Sequence, residues 1–233
     1  MERSQINSIM RMSDSFIRSF GYQLPPFAYY TPDDMRNKYN EISRILDSRL
    51  GWDITDYGRG RFDELGLFLF TVRNGNQEDL RNGCGMLYAE KIMISKKEQL
   101  SPLHRHAIKA EDIINRGGGN LVIELYQSDE NLKPDREAVV EVPCDGVLRR
   151  VAAGGKIALK PGESVTLLPG IWHAFWAEKA DVLIGEVSTV NDDETDNYFN
   201  EPIGRFAEIE EDEPPLHLLV SDYPKFMAAQ ASA

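Results

Sequence analysis

Apolar residues at helical spacing dominate the first part of the chain. Between residues 6 and 20 they recur every three to four positions, which predicts an amphipathic helix that ends at Gly21. The same spacing predicts a second helix over residues 31–50, with Thr31 as its N-cap and a proline at its first position. We therefore expect a helical annex over residues 1–60.

Beyond residue 60 the pattern changes to short strand-like runs. Turn sequences such as Asn-Gly, Pro-Asp, Gly-Gly and Pro-Gly separate most of them. The runs are LGLFLFTVR, MLYAEKIMIS, NLVIELYQ, EAVVEV, GVLRRVA, KIALK, SVTLL, HAFWA and DVLIGEVST. Many short strands without long intervening helices favour an antiparallel sandwich or barrel at residues 61–190. Residues 191–233 are predicted to cross the barrel as an irregular strap, and residues 117–119 to form a tight turn.

The composition is that of a globular protein with an excess of acidic residues. The net charge of -12 disfavours nucleic acid and anionic membranes as partners, because binders of polyanions collect positive charge. No apolar run approaches the roughly 18 residues of a membrane-spanning helix, and the first residues are polar, so we expect a cytoplasmic location. Cys84 and Cys144 are expected to be free, buried thiols without a functional role.

Three of the four histidines and one glutamate have the spacing of metal ligands. His104 and His106 flank a single residue, Glu111 follows five positions later, and His173 follows a Pro-Gly turn. In an extended strand His104 and His106 point to the same face, so both imidazoles can reach one transition-metal ion. Strict alternation would turn Glu111 to the other face. A bulge or turn between residues 107 and 110 is therefore required to aim its carboxylate at the ion.

The segments that carry these ligands resemble the cupin motifs, and their amino-acid sequences resemble those of the D-lyxose isomerase family of sugar-isomerising cupins. The matching segments are HRHAIKAEDIINRGGGN, LPPFAYYTP, LGWDITDYG, EKIMIS, GEVSTVNDD, DNYF and GRFAEIEEDEPP. The resemblance implies a mainly β, jelly-roll-like cupin barrel that forms a homodimer. It implies that the four ligands hold Mn(II), with Co, Zn, Fe or Ni as alternative divalent metals. It also implies interconversion of D-lyxose with D-xylulose, and of D-mannose with D-fructose.

Lys109 and Glu186 are the candidates for proton transfer. Aldose-ketose isomerisation moves a proton between carbon 1 and carbon 2 of an open-chain sugar, so it needs a metal for the oxygen charge and a base for the proton. A nearby dication would lower the pKa of Lys109 and make a neutral amine available. The alternatives are a surface lysine, or an ion pair with Glu111 or Asp112. Glu186 lies among apolar residues of one strand face and is the candidate partner, with Glu211 or Asp212 as alternatives.

The remaining charged candidates concern the substrate. Asp192, Arg116 and Arg205 are predicted to bind sugar hydroxyls, or to form structural ion pairs. Three functions stay open: an isomerase for a free pentose or hexose, the same fold used for a sugar phosphate or for Fe(II)-dependent oxygen activation, and a non-catalytic sugar-binding cupin. The acidic chain offers no obvious basic cluster for a phosphate, which favours the first.

Overall fold

Strands form most of the fold, and most of the helices lie towards its two ends. The computed structural model describes residues 1–231. Its strands are β1 (Gly51–Thr55), β2 (Leu67–Asn74), β3 (Tyr88–Ser95), β4 (Ser101–Arg105), β5 (Glu111–Tyr126), β6 (Val140–Cys144), β7 (Val147–Val151), β8 (Gly155–Leu159), β9 (Ser164–Leu167), β10 (Trp172–Thr189) and β11 (Tyr198–Phe199). Its α-helices are α1 (Arg3–Ser19), α2 (Pro32–Asn37), α3 (Ser43–Asp47), α4 (Gln77–Asn82) and α5 (Tyr223–Ala231).

Two long strands, β5 and β10, pair side by side through both halves of a curled antiparallel sheet. One half has the strand order β1, β2, β3, β10, β5, β9, and the other has the order β11, β4, β10, β5, β8. Strands β6 and β7 form a separate hairpin. The larger apolar core includes inward-facing residues from strands of both halves. The mainly β barrel with N-terminal helices, predicted from the sequence, is confirmed.

Both long strands bend where they pass from one half of the sheet to the other. The register of β10 against β5 shifts between Glu178 and Val182, beside residues 117–119. The tight turn predicted there is wrong, because the three glycines lie inside β5. A Cβ atom added at Gly119 would overlap the main-chain oxygens of Glu178 and Ala180. The glycines therefore allow two backbones to approach closely at the bend.

The buried side chain of Asn115 holds the bend in place. Its amide nitrogen donates to the main-chain oxygens of Gly119 and Leu159, each at 2.9 Å. Its Oδ1 accepts from the N–H of Gly117 at 2.9 Å. Because Asn115 is fully buried, these three bonds replace the water that the main-chain groups at the bend would otherwise need.

Strand β2 is buried on both faces, which explains why its sequence is apolar without alternation. Leu67 and Leu69 face the core inside the barrel. Phe68, Phe70 and Val72 face a second cluster, which contains the apolar side of α1. A strand that is covered on both faces reads as a continuous apolar run. Helix α1 is thus part of the cover of the sheet.

The first predicted helix is confirmed as α1, whereas the second is wrong in its length. Thr31 caps α2 as predicted: its hydroxyl oxygen accepts from the Asp34 N–H, and the Asp34 carboxylate accepts from the Thr31 N–H. The segment then continues as a 3-10 turn and as α3. Its apolar residues pack around the C-terminal helix instead of forming one straight face. Within residues 1–231, no helix combines the length and the apolar character that a membrane crossing needs.

Strand β1 lies inside the segment 1–60, which the hydrophobic pattern assigned to helices. It pairs with β2, from Gly51 opposite Thr71 to Thr55 opposite Leu67. Its central residue Asp53 is buried and bonds Arg205. The domain boundaries stay a prediction, and the last two residues of the predicted strap, 232 and 233, lie outside the described part of the chain.

The C-terminal strap is fixed to α1 by Arg3. The buried guanidinium donates to Glu211 at 2.6 and 2.8 Å and to Asp222 at 3.0 Å. Burial alone would lower the pKa of Arg3, but the two carboxylates raise it above its usual value. Asp212 accepts a bond from the Ser4 N–H at 2.9 Å, in the first turn of α1. These contacts join the two ends of the chain.

One cysteine prediction is wrong. Cys84 is exposed, because it lies in the surface loop that follows α4. Cys144 is buried at the end of β6, and burial raises the pKa of its thiol. Both cysteines are free, as expected.

A substitution at Gly119 tests the bend. We expect Gly119→Ala to lower the free energy of unfolding by about 1–3 kcal/mol, because the added Cβ meets main-chain atoms that cannot move independently. The matched control is Gly204→Ala, whose added Cβ has its nearest neighbour at 3.5 Å, so a change within about 0.5 kcal/mol is expected. Urea unfolding followed by circular dichroism measures both. Equal stabilities for the two variants would contradict the role of the close approach.

Candidate metal centre and active-site cavity

A cavity lined by both polar and apolar side chains lies inside the barrel. It contains all four predicted metal ligands and both predicted proton-transfer residues. Its polar and charged lining residues are Tyr57, Lys91, Ser101, His104, His106, Lys109, Glu111, His173, Glu186, Asp193, Asn197 and Arg205. Strands β3, β4, β5 and β10 supply half of them. The others lie outside strands: Tyr57 follows β1, His106 and Lys109 lie between β4 and β5, and Asp193, Asn197 and Arg205 lie after β10.

Strand pairing brings the three histidines together. His104 on β4 lies opposite His173 on β10, and the centroids of the two rings are 4.1 Å apart. His106 follows two positions after His104, and its ring lies 5.3 Å from that of His104 and 5.8 Å from that of His173. One ring nitrogen from each histidine lies within 4.8 Å of the other two. A single ion can therefore contact all three imidazoles.

Main-chain carbonyl groups fix the orientation of the three rings. Nδ1 of His104 and of His173 lies 2.8 and 3.1 Å from the carbonyl oxygen two residues earlier, and Nδ1 of His106 bonds the carbonyl oxygen of Asp196. Because a carbonyl only accepts, each Nδ1 carries a proton, and in the neutral ring this leaves the Nε2 lone pair free for a metal. Burial lowers the pKa of His104 well below its usual value and that of His106 to about 3. This arrangement is typical of metal-binding histidines.

Glu111 turns towards the histidines through the irregularity that the sequence required. β4 ends at Arg105 and β5 begins at Glu111, with a bend between them. Oε1 of Glu111 lies 3.2 Å from Nε2 of His173 and 3.7 Å from Nε2 of His106. Burial would raise the pKa of Glu111, but Lys109 holds it well below its usual range, so the carboxylate is ionised.

The donor set fits a divalent cation. Oε1 of Glu111 is buried and has no hydrogen-bond donor within residues 1–231. Its nearest neighbours are the Nε2 atoms of His173 and His106, which in neutral rings protonated at Nδ1 offer lone pairs and no donor. A borderline divalent metal supplies the missing positive charge, and imidazole and carboxylate are ligands that such ions prefer.

Lys109 is buried beside two carboxylates. Its Nζ lies 2.6 Å from Glu111 and 3.0 Å from Glu186. Burial alone would lower the pKa of Lys109, but the two carboxylates raise it above its usual value. The shift caused by these protein groups is therefore opposite to the one expected from a nearby dication. Glu211 and Asp212 contact α1 instead. Of the three carboxylates predicted as partners of Lys109, Glu186 is therefore the one that contacts it.

A second group of buried charges adjoins this pair. Nζ of Lys91 lies 3.5 Å from Glu186 and 3.6 Å from Asp193. Arg205 lies 3.6 Å from Asp193 and donates to Asp53 at 2.6 Å. Burial would raise the pKa of Asp193, but Lys91 and Arg205 lower it. Cations and carboxylates alternate along this network, so each buried charge has a partner of opposite sign.

Arg205 alone, among the three predicted hydroxyl-binding residues, lines the cavity. Its Nη1 is buried and has no partner within the described residues. Arg116 is exposed, because alternation along β5 puts it on the outer face when Glu111 faces inward. Asp192 closes a turn outside the cavity, where its carboxylate accepts from the Thr195 hydroxyl and from two main-chain N–H groups. The structure does not bring Arg116 and Asp192 to the site.

Several cavity residues were not predicted. Lys91 had a detectable signal, because in EKIMIS it shares a strand face with the buried Met93, and a lysine among buried residues needs a partner. Asp193 is one position from the predicted Asp192, and only the loop conformation decides which carboxylate enters the cavity. Tyr57 and Asn197 lie in irregular segments, where no periodicity marks them.

Comparison with known proteins identifies a family and full-length relatives. A family model described as D-lyxose isomerase matches residues 1–223. The D-lyxose/D-mannose isomerase of Serratia proteamaculans is 45% identical over 231 residues, which cover 98% of this chain and 100% of that protein. The D-lyxose/D-mannose isomerase of Escherichia coli O157:H7 is 43% identical over 229 residues, with 97% and 100% covered.

Solved structures show the same fold at low sequence identity. The L-ribose isomerase of Cellulomonas parahominis with L-ribose superimposes with a TM-score of 0.61 at 15% identity, covering 90% of this chain and 98% of that one. That likeness supports the cupin-type barrel, whereas the family match and the full-length relatives concern the sequence itself. On these grounds the chain belongs to the D-lyxose isomerase family and is a sugar isomerase.

Proposed function

We propose that the protein is a metal-dependent aldose-ketose isomerase that interconverts D-lyxose with D-xylulose, and D-mannose with D-fructose. Relatives at 43–45% identity are named D-lyxose/D-mannose isomerases. The observation that carries the proposal is a convergence in one cavity. Three imidazoles and the unpartnered oxygen of Glu111 lie beside the buried pair of Lys109 and Glu186. Enediol chemistry needs these two parts, a charge-stabilising centre and a proton carrier.

The proposed metal ligands are His104, His106, Glu111 and His173. We propose Mn(II) as the metal, with Co, Zn, Fe or Ni as alternatives, because imidazole and carboxylate suit all of these ions. When bound, the ion acts as a Lewis acid towards adjacent oxygens of the sugar. The main-chain bonds at each Nδ1 keep the three rings aimed at it.

Glu186 and Lys109 carry the protons in the proposed reaction. Glu186 is the base that removes the proton from carbon 2 of the aldose and returns it to carbon 1 of the enediol. Lys109, as an ammonium group, donates a proton to oxygen 1 and accepts one from oxygen 2. Lys91, at 3.5 Å, holds the carboxylate of Glu186 in place. No net proton is gained or lost in the cycle.

The rest of the cavity suits an unphosphorylated sugar. Lys91 and Arg205 are both balanced by carboxylates, so neither cation is free for a phosphate group. Nη1 of Arg205 and Oδ1 of Asn197 are buried without partners in the described part of the chain. They provide one donor and one acceptor for sugar hydroxyls.

Metal removal tests the proposed centre. Purified protein treated with a chelator is expected to lose the conversion of D-lyxose to D-xylulose by at least about 100-fold, because loss of Lewis-acid stabilisation costs several kcal/mol. Added Mn(II) should restore it. His173→Ala should abolish metal binding, while His217→Gln should retain it, because His217 lies outside the cavity. Full activity in metal-free protein, confirmed by elemental analysis, would contradict metal dependence.

Substitution of the proton carriers tests the acid-base assignment. Glu186→Gln and Lys109→Ala are each expected to lower kcat for D-lyxose by about 100-fold or more, as loss of a general acid or base commonly does. Glu186→Gln should leave the Mn(II) content unchanged, because Glu186 is not a proposed ligand.

The matched controls are Glu178→Gln, on the same strand as Glu186, and Lys97→Ala. Neither residue lines the cavity, and both variants should keep kcat within about twofold. A Glu186→Gln variant with the turnover of Glu178→Gln would refute the assignment. Intact turnover in Lys109→Ala would favour a role in structure alone.

The homodimer and the cytoplasmic location expected from the sequence stay predictions.

A further inference from the structure

Asp196 contacts the bend between β4 and β5, although it is distant in sequence and does not line the cavity. It is buried, with 2% of its surface exposed. Its Oδ1 accepts from the N–H of Ala107 at 2.7 Å and of Ile108 at 3.1 Å. Its Oδ2 accepts from Ile108 at 3.1 Å and from the N–H of Lys109 at 2.8 Å. One carboxylate thus binds three consecutive main-chain donors, in the bend that separates β4 from β5.

The main chain of Asp196 makes a second contact with the metal centre. Its carbonyl oxygen accepts the Nδ1 proton of His106. His104 and His173 instead each bond a carbonyl group two residues earlier in their own sequence segment. The orientation of the His106 ring therefore depends on a separate segment, and Asp196 is the residue that connects the two.

The bend held by this carboxylate decides where Glu111 points. Regular alternation from His104 and His106 would place Glu111 on the opposite face. The three N–H groups of residues 107–109 have no other acceptor within residues 1–231. Lys109 is buried, so without Asp196 its N–H would lose its partner at a buried position, which costs about 1–3 kcal/mol.

The segment that contains Asp196 also contributes to the substrate side of the cavity. Asn191 accepts from Lys91 at 2.6 Å, Asp193 lies near Lys91, and Asn197 lines the cavity. Immediately afterwards, Tyr198 and Phe199 form β11, which pairs with β4 opposite Arg105 and His104. Residues 191–199 thus border both the proposed sugar site and β4, which carries His104.

We infer that Asp196 is a positioning residue for the metal centre. Its carboxylate fixes the bend that aims Glu111 and places Lys109, and its carbonyl group fixes the ring of His106. Asp196 itself touches neither the metal nor the sugar. This inference rests on the metal site proposed above. Metal binding by the unsubstituted protein tests that site, and only the difference between variants tests Asp196.

The experiment compares Mn(II) affinity in Asp196→Ala, Asp196→Asn and the unsubstituted protein. Metal-free protein is titrated with Mn(II) alone, and free Mn(II) is measured from its electron paramagnetic resonance signal. We expect Asp196→Ala to raise the Kd for Mn(II) by about 10–100-fold, the usual effect of losing a group that orients metal ligands. Asp196→Asn should lie between the two, because its amide keeps one acceptor oxygen and turns an NH₂ group towards main-chain donors.

The control is Asp135→Ala. Asp135 also binds two consecutive main-chain N–H groups, those of Glu137 and Ala138, at 2.8 and 3.0 Å, but in a turn away from the cavity. The Asp135→Ala variant should keep the Kd for Mn(II) unchanged. Thermal unfolding of each metal-free variant shows whether the titrated protein is folded. Unchanged Mn(II) affinity in folded Asp196→Ala would overturn the inference. Weak Mn(II) binding by the unsubstituted protein would instead count against the proposed metal site.

Discussion

Three imidazole lone pairs and one carboxylate oxygen share a buried space that contains no hydrogen donor for that oxygen within residues 1–231. Such a set is unfavourable by itself, because buried acceptors need a donor or a cation. The positive charge nearest to it is Lys109, which binds the other oxygen of Glu111. The arrangement of the surrounding residues follows from this constraint. Each histidine is held by a main-chain bond, and the lysine is held by two carboxylates.

The need to balance buried charge extends from the metal centre to the rest of the cavity. Glu186 lies between Lys109 and Lys91, and Asp193 lies between Lys91 and Arg205. In such a chain of alternating charges, neutralisation of one member leaves its neighbour without a partner. The proposed proton carriers are therefore part of the same electrostatic unit as the proposed substrate-binding residues. A free sugar, which brings hydroxyl groups and no charge, can enter this unit without disturbing its balance.

The sheet makes this concentration of polar groups possible. Because β5 and β10 pair in both halves, each strand passes through the core and also supplies site residues: β5 carries Glu111, and β10 carries His173 and Glu186. The bend beside Gly119 lets the two strands change direction together. Apolar residues on the same inner faces surround the polar group and limit its contact with water, which strengthens the electrostatic interactions among its members.

The amino-acid sequence by itself determined the strand-rich barrel, the first helix and the identity of the four proposed ligands. Each of these depends on local regularities: alternation, helical spacing and the spacing of His104, His106 and Glu111, including the bend that Glu111 required. Local patterns did not predict conformations that depend on contact with a distant part of the chain. Alternation alone did not reveal that residues 117–119 continue a strand through a bend, because close contact with another strand, and not the turn propensity of glycine, decides their conformation.

Only the tertiary structure decided which charges meet. Asp193 enters the cavity and Asp192 does not, although the two are adjacent in an irregular loop with no periodicity to distinguish them. The pKa of Lys109 is raised by Glu111 and also by Glu186, which is 77 positions away in sequence and lies 3.0 Å from its Nζ. Asp196, also distant in sequence, reaches the N–H groups of the bend between β4 and β5. Electrostatic interactions depend on distance in space, and a sequence reports distance only along the chain.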